Sequence, residues 1–473
     1  MRRVAIFLLF ALPLLAVAAT AHLYYRHTQL SAQYAEMLEK FRKPIYACAD
    51  PYADGSAMRE YQAAFDALPL TEDEYEWWEA FMVAPTMEML NHPPKGSLFE
   101  TSGRLGMLDH AQPATTQAPK EVLSCLGLTD TPSAATDAVV RNIDISFCEQ
   151  LNSLKQSQER ANAASLLPTC QSPYSPLNNW AIEGDPKPPY GFMTFINLNR
   201  LHGHLAELRG SFHEAARLYL TSVRMIGDLQ RDAVWAEYLA ADVYLEVNLK
   251  LLQGLIAFLD AAERKELLEA SLDLEENWPS LHRSRTASVL VSIPFSTLPG
   301  IELDPAAGFL PYEFSLSNKF LLLYALPAYP QALHELTHAY KAPSLIDVME
   351  HWTEWFGALR WKNPAAWVYI FEITSPGYDA RHRINLSLLR LLQLQLADSI
   401  GQAEDSNLVD PVTGEPFRIT RTGSVTRYSS AATEEAFRAV IAEHRKRIAD
   451  ELLMLDFTSP RTPQMGRDSG TQP

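Results

Sequence analysis

Basic residues are scarce in this sequence. Lysine and arginine together number 40 against 57 aspartates and glutamates, for a formal net charge of -17. Nucleic-acid recognition needs clustered positive charge to meet phosphate, so the composition argues against that class of partner. It also argues against broad electrostatic attachment to an anionic membrane face, and suits a well-solvated surface. Catalytic signatures are missing as well. There is no GxSxG elbow, no P-loop and no GxGxxG. Only four residues are cysteine and no CxxC occurs, so the spacing matches no thiolate zinc pattern.

Long apolar runs are absent beyond the first residues. Met1-Arg2-Arg3 precedes an apolar run over residues 4–21, interrupted by Pro13. Two arginines before an apolar run fit a cytoplasmic flank. The small residues Ala16-Val17-Ala18 or Ala19-Thr20-Ala21 could form a cleavage site of a signal peptide. Alternatively, residues 4–25 have about the length of one bilayer span, roughly 20 residues, with Tyr24 and Tyr25 as interfacial aromatics. The uncleaved anchor is the preferred reading. Either way the remainder is expected in the cell envelope. It is anchored in the inner membrane by a single pass and faces the periplasm, or is secreted to the periplasm.

The cysteines, Cys48, Cys125, Cys148 and Cys170, fall in the first half of the chain. In an oxidising compartment they can form two disulfides in any of three connectivities.

With 47% hydrophobic residues over 473 positions, the chain can bury a large core. Periodicity predicts mostly helix. Thr71 with Glu74 forms a capping box opening one helical stretch. Residues 91–120 read as an irregular connection, 139–167 as helical, and the proline-bearing stretch 171–190 as a long loop. The clearest helices are expected over 192–208, 212–229 and 234–259. Within them Gly203, Gly210, Phe212, Ala215 and Tyr219 have the pattern of an αα-hairpin, with small residues at the helix crossing and an aromatic between the helices. The pattern resembles one tetratricopeptide unit, but only one unit is visible, and a solenoid needs several. After a loop over 293–312, helices are expected near 316–326, 331–342, 344–360 and 378–400. Asp410-Pro411-Val412-Thr413-Gly414-Glu415-Pro416-Phe417 reads as a turn stiffened by proline, in preference to a cation-binding loop. It leads into a β-hairpin over 418–421 and 424–428 joined by Thr422-Gly423. A final helix is expected over 431–455.

The fold class is therefore mainly α: an irregular multi-helix domain of αα-hairpins with a small C-terminal β-hairpin, preceded by one N-terminal transmembrane or signal helix. Four regions follow. They are the anchor or signal peptide at 1–25, a cysteine-containing, loop-rich helical region at 26–190, the main helical domain at 191–458 and a disordered tail at 459–473.

One motif points to chemistry. His334-Glu335-Leu336-Thr337-His338 fits HExxH, in which histidines four apart share a helix face and can ligate one zinc ion. Glu335 would be the general base on zinc-bound water. Glu350 and Glu354 on the next helix, capped by Ser344 with Asp347, are the alternative third ligands. The competing reading is an ordinary amphipathic helix. At 100° per residue Ala332, Leu333, Leu336, Ala339 and Tyr340 form one apolar arc, with Gln331, His334, His338 and Lys341 opposite. No cofactor is expected unless this motif works, in which case it is zinc.

Residues 334–339, His-Glu-Leu-Thr-His-Ala, resemble the zinc helix of thermolysin-like metallopeptidases, over six residues only. A wider resemblance rests on order. The N-terminal apolar segment, Cys125-Leu126, the Gly210 hairpin, Asn363-Pro364, Pro376-Gly377-Tyr378 with Arg381, and Leu388-Leu389-Arg390-Leu391-Leu392 followed by the Asp410–Phe417 turn together resemble a family of uncharacterised helical bacterial envelope proteins. The stretch from Asp410 to Tyr428 is also similar to the closing segment of some pseudopilin-like proteins. The family implies no established activity, and HExxH is not one of its marks. The expected role is binding or assembly, with the inner membrane engaged through the N-terminal helix and a protein or peptide as partner. The alternative is a zinc metallopeptidase.

Overall fold

The structure is a computed structural model. It describes residues 53–69, 117–131, 133–167, 187–231, 235–292, 341–362, 376–402, 408–422 and 425–433, with scattered positions within 13–39, 71–77, 98–102 and 331–338. Cys48 and Cys170 lie outside these residues. So do most of the N-terminal apolar segment and of the connection at 91–120, and residues 171–186 of the expected proline loop. The loop at 293–312, the helix at 316–326, the final helix beyond Thr433 and the tail also lie outside them. Among the described residues no helix is long and apolar enough to cross a membrane.

The described chain is mainly helical. In order it runs α1 Ala57–Phe65, α2 Lys120–Cys125, α3 Ala138–Arg141, α4 Ile145–Ala164, α5 Lys187–Leu208, α6 Phe212–Gln230, α7 Trp235–Leu255, α8 Ala261–Glu276, α9 Leu281–Ser292, α10 Leu345–Lys362 and α11 Pro376–Ser399. The strands β1 Arg418–Thr422 and β2 Val425–Ser429 follow.

Helix α5 is central. Every residue from Tyr190 to Leu201 is buried, including Asn197, Asn199 and Arg200. A helix covered all round must meet neighbours on several sides. Here α1 and α4 pack on it, and α6 and α7 complete the cover. Tyr61, Phe65, Phe192 and Phe195 form the aromatic contact between α1 and α5, with ring centroids 4.6–6.1 Å apart. Beyond α7, the long helix α11 receives α7, α8, α10 and strand β2.

The hairpin expected from the glycine and aromatic pattern is present in α5 and α6. Gly210 ends α5 with φ +75°, and the Ser211 N–H donates to the Ala206 carbonyl at 2.9 Å, so the exposed helix-end carbonyls find donors. A Cβ at Gly203 would lie 2.4 Å from the Tyr219 ring. The crossing is close because Gly203 has no side chain.

Other local signals hold too. The Thr71–Glu74 capping box is formed, at 3.0 and 3.2 Å for its two backbone donors. Asp137 and Asp144 cap α3 and α4 through their carboxylates. Two boundaries differ from expectation. The proline loop ends earlier, because α5 begins at Lys187 with Pro188 and Pro189 inside its first turn. Proline is tolerated there, since first-turn N–H groups have no intrahelical acceptor to lose. The first strand of the β-hairpin is one residue longer than the spacing suggested, and the second keeps its length but is shifted by one residue. Arg418 pairs with Ser429 and Thr422 with Val425. Cys125 on α2 and Cys148 on α4 form a disulfide, one pair of the three connectivities left open.

The Asp410 turn fastens the C-terminal elements to α11. The Asp410 carboxylate is fully buried and accepts from Ser387 of α11, from Ser430 after β2, and from Val412 N and Thr413 Oγ1 at 3.0 Å each. Every strong acceptor site is thereby served from within the protein, as the proline-stiffened turn requires. Next to it, Arg383 donates to the carbonyls of Pro411 and Ala342 at 2.8 Å each.

Two measurements check this packing. Gly203→Ala should destabilise the fold by about 1–3 kcal/mol in urea unfolding, because the Tyr219 ring must move to admit a methyl group. Asp410→Ala should cost about 3–5 kcal/mol, because four buried donors lose their acceptor. A midpoint unchanged in either variant would contradict the contact concerned.

Candidate functional site

The described residues of the HExxH segment are helical. Ala332 is buried, Gln331, His334 and His338 are exposed, and Glu335 is half-buried, as an amphipathic helix with its histidines on the outer side requires. The chain then turns a corner at Pro343. Ser344 caps α10: its hydroxyl and its backbone N–H donate to the Asp347 carboxylate at 2.5 and 3.1 Å, and Asp347 N returns a bond to the hydroxyl at 3.2 Å. Leu345 N donates to the Val412 carbonyl at 2.8 Å, which ties this corner to the Asp410 turn.

Fixed in this way, α10 lies beside the HExxH helix. His351 donates from Nε2 to Glu335 Oε2 at 2.7 Å. Its ring lies nearly parallel to that of His338, at 24° with centroids 5.5 Å apart. His334 meets His338 edge-on at 5.9 Å. The structure therefore brings together Glu335, His338 and His351, with His334 alongside. It does not bring in Glu350 or Glu354, which stand exposed on α10.

Tetrahedral zinc binding needs two imidazoles and a third ligand converging on one point. Here the carboxylate expected to act as base is engaged by His351, whose ring stacks on His338, while His334 meets His338 edge-on. Among the described residues no group of three or more His, Cys, Asp or Glu side chains could hold a metal ion.

His351 is the residue that motif reasoning missed. It is outside the HExxH pattern, 16 positions beyond Glu335. The available signal was the short corner with its Ser344–Asp347 cap, which returns the chain alongside the preceding helix.

A second polar constellation lies at α7, α9 and α11 and has no sequence motif at all. The Tyr238 hydroxyl sits 2.9 Å from His382 Nδ1 and 3.4 Å from the Pro279 carbonyl. Burial pushes His382 down to about 4, with the nearby Arg383 and Arg285 adding to the effect and Asp379 opposing it, so the imidazole is neutral at ordinary pH. Arg285 and Asp379 form a buried ion pair at 2.6 Å. A small cleft opens beside His382, lined also by Leu245, Trp278, Asn385, Leu386 and Leu389. A neutral imidazole held by a tyrosine can exchange hydrogen bonds with a guest, but the walls are mostly apolar.

No family model, curated protein or solved structure matches this chain.

The Glu335–His351 contact should be weak in energy, since the two side chains are 17% and 38% exposed and solvent screens the pair. His351→Ala is expected to lower the unfolding free energy by no more than about 1 kcal/mol. A loss several times larger in chemical denaturation would show that the pair is a structural anchor.

Proposed function

We propose that this chain is a non-enzymatic helical protein of the cell envelope, held at the inner membrane by its N-terminal segment and acting by binding or assembly with a protein or peptide partner. The observation that carries the reading is the engagement of Glu335 by His351. It gives the carboxylate of the single sequence motif with a catalytic signature a partner within the protein, which favours a structural role for that motif. The acidic composition, which argues against nucleic acid, agrees with a role among proteins. A disulfide between Cys125 and Cys148 suits an oxidising compartment. Helical hairpins offer grooves between neighbouring helices, and such grooves receive amphipathic helices or extended peptides by burying their apolar side chains.

The reading makes concrete demands on the intact protein. His334→Ala with His338→Ala should fold and should restore any envelope phenotype of a deletion strain as well as the native chain does. Protein purified without chelators and resupplied with zinc should hold well below one zinc per chain. Cell fractionation should place the chain in the membrane pellet. About one zinc per chain, with peptidase activity lost in a folded Glu335→Gln variant, would replace this reading with that of a metallopeptidase.

A further inference from the structure

The interface of α6, α7 and α11 buries an unusual set of oxygen atoms. Gln230 of α6, Asp242 of α7 and Asn385 of α11 are each 1% exposed. Gln230 Nε2 donates to the Tyr238 carbonyl at 3.1 Å and to Asp242 Oδ1 at 2.8 Å. Both partners are acceptors, so the orientation of this amide is fixed and its oxygen must point elsewhere. Asn385 Nδ2 donates to the Asp242 backbone carbonyl at 3.1 Å, which fixes the second amide in the same way. Among the described residues three oxygens then remain without a hydrogen-bond donor: Gln230 Oε1, Asn385 Oδ1 and Asp242 Oδ2. Turning either amide over would only set oxygen against oxygen.

An unserved buried acceptor costs about 1–3 kcal/mol, and a cluster of them around a charged carboxylate costs more. One proton repairs most of this. Placed on Asp242 Oδ2, it removes the buried charge, converts one orphan acceptor into a donor and gives the amide oxygens something to accept. We propose that Asp242 is an internal proton-binding site, protonated in the folded chain in an acidic medium and donating from Oδ2 into the Gln230–Asn385 amide pair, so that the α6–α7–α11 core tightens there.

The electrostatic surroundings agree. Burial raises the Asp242 carboxyl to about 6, against the opposing pull of its amide partners and of Arg381. The groups facing it are the neutral Gln230 amide from α6, the Asn385 amide and the Arg381 guanidinium from α11, and Glu246 from its own helix. Arg381 is shared with Glu246 at 3.1 Å, which blunts its pull on Asp242. On the flanking helices, the buried guanidiniums are otherwise engaged. Arg200 of α5 faces Tyr244 and Tyr219, and Arg285 of α9 is paired with Asp379.

The sign of the pH effect follows. A carboxyl whose folded value lies above its unfolded value near 4 binds its proton more tightly in the native state. Its contribution is fully present below about pH 4 and is lost as pH rises through about 6. Other buried groups titrate too. Asp228 is raised to about 6 by burial, while His202 and His382 are pushed down to about 4. His282 is lowered by burial as well. Comparing the native chain with Asp242→Asn cancels these common contributions, and asparagine keeps the shape and the donor of the protonated acid.

The test is urea unfolding of the full chain and of D242N from about pH 5 to about pH 8. The two midpoints should lie close together at the acidic end, and the native chain should fall progressively below the variant as pH rises. A constant difference would overturn the proposal. That is the result expected if a water or an added sodium, potassium or calcium ion serves these oxygens and Asp242 stays charged throughout, and a native chain that gains on the variant with rising pH would overturn the proposal equally. Should D242N fail to fold, infrared difference spectra of the chain carrying both Asp228→Asn and Glu207→Gln decide the matter, because burial raises the Glu207 carboxyl as well. A protonated-carboxyl stretch at about pH 5 that fades by about pH 8 supports the site, and its absence refutes it.

Discussion

The C-terminal half of the fold depends on one carboxylate. Asp410 is buried without any cation beside it among its bonding partners, and hydroxyl and amide donors from three segments converge on it. A buried charge is tolerable only when its lone pairs are served. That requirement fixes the turn, and the turn fixes its neighbours. Val412 presents a carbonyl to Leu345 at the start of α10, while Arg383 clamps the carbonyls of Pro411 and Ala342. The corner between the HExxH helix and α10 is therefore set from a site more than 60 residues away in sequence. The distance between Glu335 and His351 is a downstream result of that fixation.

The interior of the helical stack shows the same logic with a different outcome. Gln158, Asn162 and Asn199 form a bonded ladder between α4 and α5, at 2.7 and 2.9 Å. Tyr61 reaches from α1 to Asp228 on α6 at 2.8 Å. These pairs give each helix crossing a polar register in addition to its apolar packing. Uniform apolar surfaces permit several near-equivalent arrangements, whereas paired polar groups penalise every arrangement but one. The neutral His382 and the Asp242 cluster belong to this same internal framework.

Much of the helical framework was legible in the sequence. Gly203, Gly210 and Tyr219 announced the α5–α6 hairpin because a close crossing leaves few residue choices. Ser344 with Asp347, and Thr71 with Glu74, announced helix starts because capping is a local interaction. Pro188 and Pro189 misled, because proline marks both a loop and the first turn of a helix. The interior polar groups were not legible at all. Asn197, Gln230, Asn385 and Gln393 are polar residues on helices, and without partners in view such residues read as surface. Their partners lie up to 143 positions away, as for Asn385 with Asp242. The HExxH segment was legible as a motif, but its five residues could not reveal that His351 would bond the carboxylate.

The Asp410 turn also sets an order of events during synthesis. Ser387 precedes Asp410 by 23 residues and Ser430 follows it by 20. As the nascent chain emerges, α11 appears first with Ser387 lacking its acceptor and Arg383 lacking the Pro411 carbonyl, and the carboxylate stays one donor short until Ser430 has emerged. The junction of α10, α11 and the β-hairpin can close only then, while α5 and α6, whose contacts are nearer in sequence, can pair long before. The chain is thus arranged to mature from its central hairpin outward, with the Asp410 fastening made after it.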